Sequence, residues 1–475
     1  MSTNFRIRKI KMTEKNSKII SLISLGCPKN LVDAEMMLGF LKQEGFSFSA
    51  NPQEADVVIV NTCGFVEDSK TESINKILEM AELKKTARCK VLVATGCLTQ
   101  RYARQLEAEL PEIDAFVGLG EFDRIGRILR EGEGHQGEGD RLFINQHPES
   151  KTPSDLSSFT TRRQILPDPD LPRVLSTPGH FSYVKISEGC SHRCSFCIIP
   201  HIRGDLKSRR IASIVREVQQ GLGKGVREFN LIAQDLNEYG KDLRDGTNLT
   251  GLLKELDQIK GDFWIRPLYM YPLEFTDGLV AVLRNSGHLV KYVDMPLQHI
   301  NARVMRSMKR GSPARYVRQI LGKLKKAIPE IAIRTTFIVG YPGETKAEFD
   351  ELYQFVKEYE FHHVGVFRYS PEEDTLAAAL PGQIAPEEKD ERFHRLMSLQ
   401  QGISLKKNKR LVGKALPALL ECISEEKPGY LEARLGIQAP EIDGITYVKA
   451  SQGMRVGDFC EVKIVEAAEY DLVGE

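Results

Sequence analysis

From about residue 18 to 130 the chain repeats one pattern three times: a short continuous apolar run, a turn, then a longer stretch with apolar residues at helical spacing. The apolar runs occupy 19–25, 57–61 and 91–95, and the helical stretches fall near 31–45, 67–84 and 99–108. Strands alternating with amphipathic helices predict βαβ steps and a parallel α/β sheet. From Phe181 the pattern resumes, with apolar runs at 181–187, 228–234, 263–270, 291–297, 331–339 and 363–369. Helical patterns separate them near 209–223, 249–259, 275–285, 313–327 and 345–359, giving six βα units and so an incomplete parallel barrel. A long charged helix is expected from about 386 to 410. Beyond Leu411 short alternating strands, with turns at Pro428-Gly429, Asp443-Gly444 and Gly457-Asp458, predict a small β-barrel of OB-like type.

Between the two α/β regions, residues 131–180 lose periodicity and fill with Gly, Pro, Ser and charged residues, the composition of a linker with a brief ordered piece around 141–144. The expected domains are therefore 18–130, 181–410 and 411–475. Hydrophobic residues at 41% and charged residues at 28% describe a globular chain, and no apolar run has the length of a membrane span. Residues 1–18 are basic but lack an apolar stretch, so they read as a frayed arm and not as a secretory signal. Nine cysteines without an export signal point to a reducing cytoplasm, where thiolates bind metal instead of pairing.

Two cysteine sets carry the chemistry. Cys190, Cys194 and Cys197 fall within eight positions as C-x3-C-x2-C, a ligand set for an iron–sulfur cluster with one iron left open. A zinc site completed by His192 or His201 is the competing reading of that spacing. Cys27, Cys63 and Cys97 lie 36 and 34 residues apart, yet each follows a predicted parallel strand at its carboxyl end. Neighbouring strands are about 4.8 Å apart, so three thiols placed this way can converge, and Gly26, Gly64 and Gly96 leave backbone room beside them. Three buried structural cysteines would fit the same pattern. Cys89, Cys422 and Cys460 lack such positions and read as core. In the second α/β region Gln234, Gln298 and Gly340 stand at strand ends, where barrels of this kind place their chemistry or simply cap a strand.

The three-cysteine loop, with the aromatic Phe196 before its last cysteine, resembles the radical S-adenosylmethionine (SAM) superfamily. That resemblance implies a [4Fe-4S] cluster holding SAM on its open iron. It also implies SAM contacts from the strand-end loops at Gln234, Gln298 and Gly340. The two cysteine sets together with a C-terminal β-barrel resemble the methylthiotransferases, whose last domain is a TRAM domain. The stretches SLGCPKNLVDAEMMLG at 24–39, NTCGFVEDSK at 61–70, Ile199-Pro200 through Arg203-Gly204-Asp205, DMPLQHI at 294–300 and RTTFIVGYPGET at 334–345 are closest to the RimO branch. Likeness to that branch implies two [4Fe-4S] clusters, one on each cysteine set, and SAM both as radical source and as methyl donor. The implied substrate is the β-carbon of an aspartate in small-subunit ribosomal protein twelve. The sister branch, which methylthiolates isopentenyl-adenosine in transfer RNA, and a non-enzymatic iron–sulfur carrier are the alternatives. Residues 411–475 carry six Lys and Arg against twelve Asp and Glu, a net of −6, which disfavours stable binding of nucleic acid and favours a basic protein partner. No membrane association is expected, and the residues carry no signature of the sulfur or electron donor.

Overall fold

The computed structural model describes residues 18–131, 141–144, 163–311 and 313–475. The basic arm up to residue 17 and the linker stretches 132–140 and 145–162 lie outside them. The chain forms two compact units. One comprises the residues up to Thr177 together with Lys185–His192 and Cys197–Ile214, the other Pro178–Val184, Arg193–Phe196 and Val215–Glu475. No helix among the described residues is long and apolar enough to cross a membrane.

The first unit runs β1 (Ile19–Ser24), α1 (Pro28–Gln43), β2 (Ser47–Phe48), β3 (Val57–Thr62), α2 (Glu67–Thr86), β4 (Val91–Gly96), α3 (Cys97–Glu109), β5 (Ala115–Val117), α4 (Ile125–Glu131) and β6 (Leu142–Phe143). All six strands are parallel, in the order β2-β1-β3-β4-β5-β6. Strand residues two apart share a face, and each face has its own core. Ile20, Leu22, Val57, Ile59 and Val93 pack against α1 and α4, whereas Val58, Val60, Leu92 and Ala94 pack against α2 and α3. The order reverses between β1 and β3, the switch point at whose carboxyl edge open α/β sheets bind ligands.

The chain continues with β7 (Phe181–Lys185), β8 (Ser187–Glu188), α5 (Ile199–Arg203), β9 (Lys207–Ser208), α6 (Ile211–Gly223), β10 (Glu228–Ile232), α7 (Leu249–Asp257), β11 (Trp264–Pro267), α8 (Asp277–Asn285) and β12 (Tyr292–Asp294). Then come α9 (Ala302–Ser307), α10 (Ala314–Ala327), β13 (Ala332–Val339), α11 (Lys346–Tyr359), β14 (His363–Arg368) and α12 (Pro386–Lys409). The six long strands form two parallel triplets, β7-β10-β11 and β12-β13-β14. Backbone bonds from Val290 and Met270 to Ile265 and Asp294 at 3.1 and 2.8 Å bridge the triplets, giving one open six-stranded wall. Short α9, not foreseen from the sequence, is capped by Asn301, whose Oδ1 accepts from Arg303 and Val304.

The last strands, β15 (Ala415–Ile423), β16 (Tyr430–Leu435), β17 (Thr446–Lys449), β18 (Phe459–Ala467) and β19 (Leu472–Gly474), close a barrel in the order β15-β16-β17-β19-β18. Ala418, Leu420, Ala433, Val448, Val462 and Ile464 fill it. Cys422 departs from the sequence reading. It is exposed, not core, because the register of β15 on β16 shifts between Leu420 and Cys422 and turns the strand's end outward. Cys89 is buried as expected, and Cys460 is partly buried against the barrel core.

A buried ionic cluster joins this barrel to the parallel wall. The carboxylate of Glu228, at the start of β10, accepts from Arg266 Nε at 2.7 Å and from the Arg434 guanidinium of β16. Arg434 also reaches Glu421 at 2.8 Å, and Arg334 reaches Asp443 at 2.8 Å. Neutralising these charges pairwise is what makes their burial tolerable.

Candidate functional site

Each of the three strand-end cysteines is held by a different local device. Cys27 is the N-cap residue of α1, its carbonyl accepting from the N–H groups of Asn30 and Leu31 at 2.9 and 3.1 Å. Cys97 is the first residue of α3. Cys63 follows β3 and is pinned by Ser73, whose Oγ accepts from its N–H at 3.0 Å and donates to its carbonyl at 2.9 Å. Asn30 ties the strand ends together by donating to the carbonyls of Leu25 and Thr62 at 2.8 and 3.0 Å.

The glycine–cysteine turns interlock. A Cβ on Gly26 would stand 2.9 Å from Cys63 Sγ, one on Gly64 would stand 2.7 Å from Leu98 Cα, and one on Gly96 would stand 2.3 Å from the Thr62 carbonyl. Gly26 and Gly96 also have φ of +87° and +96°, where a side chain is strained. Only a hydrogen at these positions lets the three turns close on one another.

The thiols feel each other electrostatically. Burial pushes Cys63 up, and the nearby Cys27 adds to the rise. Burial pushes Cys97 up to about 12, with Cys63 and Cys27 raising it further while Arg203 opposes. Cys27 stays below the ordinary thiol value because Lys29, Arg203 and backbone N–H groups outweigh its burial. Three converging thiols that resist ionising together are a donor set suited to a multivalent, thiophilic metal centre, which would supply the missing positive charge.

Cys190, Cys194 and Cys197 sit in the loop after β8, each partly buried. The N–H of Cys190 donates to the Gly204 carbonyl at 3.0 Å. Around Cys194 the chain is anchored through Ser195, whose N–H donates to Met308 O at 3.0 Å and whose Oγ donates to Ser307 O at 2.7 Å. Arg310 stacks on Tyr271 at 3.9 Å and directs Nη1 to within 3.9 Å of Cys194 Sγ. Phe196 packs against Val304, Met308 and Tyr341.

The strand-end residues divide by role. Gln298 has φ +72° and pairs its backbone with Thr336 and Ile338, while its side-chain Oε1 is buried with no hydrogen-bond partner among the described residues. Gln234 lies just past β10, beside Asp235, whose carboxylate accepts from the N–H groups of Asn237 and Tyr271 at 2.8 and 3.2 Å. Gly340, with φ +72°, gives its N–H to the buried Glu344 carboxylate and makes room for Lys389, whose Cγ would be 2.3 Å from an added Cβ.

Sequence reasoning assigned no role to Arg203, and the structure gives it one. It is fully buried at the end of α5, where Nη1 donates to Asp33 and Glu188 at 3.0 Å each, and Nη2 donates to Asn30 Oδ1 at 3.2 Å and Cys97 Sγ at 3.4 Å.

Three domain families match the chain: Uncharacterized protein family UPF0004 over residues 19–118, the Radical SAM superfamily over 184–356 and the TRAM domain over 412–475. Among curated proteins, the chain is 44% identical to "Ribosomal protein uS12 methylthiotransferase RimO" of Pelobacter propionicus, covering 98% of each chain. The protein of the same name from Desulforamulus reducens is 45% identical over 96% of this chain and 99% of its own. The chain belongs to the RimO methylthiotransferase family. It is therefore a radical SAM methylthiotransferase, with [4Fe-4S] clusters and SAM as its cofactors. Among solved structures, the radical SAM methyltransferase TsrM of Kitasatospora setae, with cobalamin and a [4Fe-4S] cluster bound, shares the fold at a TM-score of 0.53 and 14% identity, over 88% of this chain and 77% of that one.

Proposed function

We propose that this enzyme methylthiolates the β-carbon of an aspartate in small-subunit ribosomal protein uS12. Identity of 44–45% over nearly the full length to relatives named as uS12 methylthiotransferases is the observation that carries the reading, and the aspartate β-carbon is what the family resemblance implies. In it, Cys27, Cys63 and Cys97 hold one [4Fe-4S] cluster and Cys190, Cys194 and Cys197 the other. The convergence of the first three thiols, with glycines at each turn, supports their assignment. When bound, the clusters and SAM would supply single electrons, hydrogen-atom abstraction and a methyl group, and the cluster on Cys27, Cys63 and Cys97 would hold the added sulfur.

The chain's own residues do the holding. Phe196, Gln234 and Gln298 line the SAM site, and Gln298 Oε1 is a buried acceptor that a ligand hydroxyl or amine would satisfy. Gly340, its N–H already committed to Glu344, belongs to the same strand-end loops. The acidic C-terminal barrel repels a phosphate backbone and attracts a basic protein, which favours uS12 over transfer RNA. Nine free thiols fit action in a reducing cytoplasm.

Anaerobically reconstituted enzyme should hold about eight irons, four per cysteine set. With SAM, reductant and sulfide it should add one carbon, two hydrogens and one sulfur to uS12, read by mass spectrometry, and leave isopentenyl-adenosine transfer RNA unchanged. A modified RNA beside an unmodified protein would overturn the substrate. Replacing Cys27, Cys63 and Cys97 by Ala should preserve SAM cleavage and stop thiolation; thiolation by that variant would overturn the ligand assignment.

A further inference from the structure

Among the described residues, Arg203 contacts one of the proposed ligand sulfurs from inside a closed ionic cluster. Lys185, Asp33, Glu188 and Arg203 have side chains 0–7% exposed. Lys185 Nζ donates to Glu188 at 2.6 Å and to Asp33, and Arg203 Nη1 bridges the same two carboxylates. Two cations and two carboxylates leave the cluster neutral.

Such a cluster is costly to bury, and well-packed apolar side chains of like volume would stabilise the fold as well or better. Its geometry suggests what it is for. One arm of the guanidinium is occupied by the carboxylates, which frees the other to point at Asn30 Oδ1 and Cys97 Sγ. Ile198, just before α5, and Ile202, within it, pack on Cys97 and keep water from that sulfur. The next residue, Gly204, accepts from the N–H of Cys190 through its carbonyl. Arg203 thus sits on a short segment that touches a member of each cysteine set.

We propose, resting on that ligand assignment, that Arg203 is a positioning residue that sets the reduction potential of the cluster held by Cys27, Cys63 and Cys97. Reduction adds one electron, breaks no bond and increases the negative charge on the cluster sulfurs. An N–H···S bond from a dry guanidinium stabilises that added charge, and hydrogen bonding and net charge at the sulfurs are what tune such potentials. Asp33 and Glu188 act in the opposite sense by neutralising the guanidinium.

The test uses the full chain with Cys190, Cys194 and Cys197 replaced by Ala, so that a single cluster is reconstituted. Four irons in this background establish the ligand reading independently; their absence would sink that reading and not the role of Arg203 alone. In this background R203Q leaves an uncompensated carboxylate beside Cys97, and the midpoint monitored by electron paramagnetic resonance during dithionite titration should fall. The ratio of oxidised to reduced cluster at fixed potential should shift about tenfold, equivalent to about 59 mV for one electron. R203K keeps the charge but loses the second arm, so its midpoint should lie between the two. D33N removes a negative charge and should raise the midpoint. Opposite signs for R203Q and D33N are what a merely structural role would not produce. If R203Q fails to take up iron, R203K and D33N still decide. Midpoints equal to the parent's, or moving together in one direction, would overturn the inference.

Discussion

Glu228 is surrounded by guanidinium groups and has no face toward water. Burial alone would raise its pKa, but Arg434 and Arg266 hold it down to about 2, below the ordinary 4.5. A depressed folded-state pKa stabilises the fold fully above the unfolded value and loses that contribution as pH falls from about 4.5 toward 2. Removing one partner of a buried pair strands the others, so E228Q should destabilise the chain by on the order of 3–5 kcal/mol at neutral pH. Urea midpoints of parent and variant, compared at neutral pH and again below the carboxylate range, should converge as acid neutralises the parent's Glu228. A gap of the same size at both pH values would place the loss elsewhere. Neither Glu228 nor Arg203 could be assigned from the sequence, because each owes its role to partners far along the chain, Arg434 for one and Cys97 for the other. The approach of Cys27, Cys63 and Cys97 could be expected from the sequence because each follows a parallel strand at its carboxyl end.

At the level of elements, most of the fold was legible in the hydrophobic period. The three strands of the first sheet that its cysteines follow lie buried between helices and therefore read as short continuous apolar runs, and their length, β-branched residues and flanking glycines distinguish them from buried helix. Periodicity failed where local geometry broke it, at the bulge that exposes Cys422 and at α9, too short to establish a helical repeat. The turn between β4 and α3 is the element on which the first cysteine set most depends. Gly96 has φ +96° and stands against the Thr62 carbonyl, while Cys97 begins the next helix. Alanine there must hold a backbone conformation that glycine alone adopts readily, at a cost of roughly 1–3 kcal/mol, and its Cβ, 2.3 Å from the Thr62 carbonyl, must also displace β3. That displacement shifts Cys97 relative to Cys63, which directly follows β3. G96A should therefore lower both the melting temperature and the iron bound by the variant in which Cys190, Cys194 and Cys197 are replaced by Ala. Full iron content with a parental melting temperature would show that the turn tolerates a side chain.

On the scale of the whole molecule, charge is distributed unevenly although it nearly cancels, at +1 overall. The C-terminal barrel has six bases to twelve acids, and Arg434 is spent internally on Glu228 and Glu421. Glu425, Glu426, Glu441, Asp458, Glu461, Glu466 and Glu475 are exposed against Lys414, Lys449, Arg455 and Lys463, so negative charge is in excess on the barrel's surface. Fields of this kind steer an oppositely charged partner and act on the association rate more than on the lifetime of the complex. Ribosomal proteins must themselves neutralise RNA phosphates, so uS12 is a partner of the right sign. Reversing Glu425, Glu426, Glu461 and Glu466 to lysine should lower the melting temperature only slightly, because they lie on the surface and the bond that Tyr447 donates to Glu426 is exposed. It should slow stopped-flow association with uS12 by on the order of tenfold at low ionic strength. The same reversal should flatten the salt dependence of that rate, because screening then has less attraction to remove. An association rate indifferent to both salt and charge reversal would reduce these acids to a solubilising surface and leave substrate choice to the parallel wall and its cysteine loop.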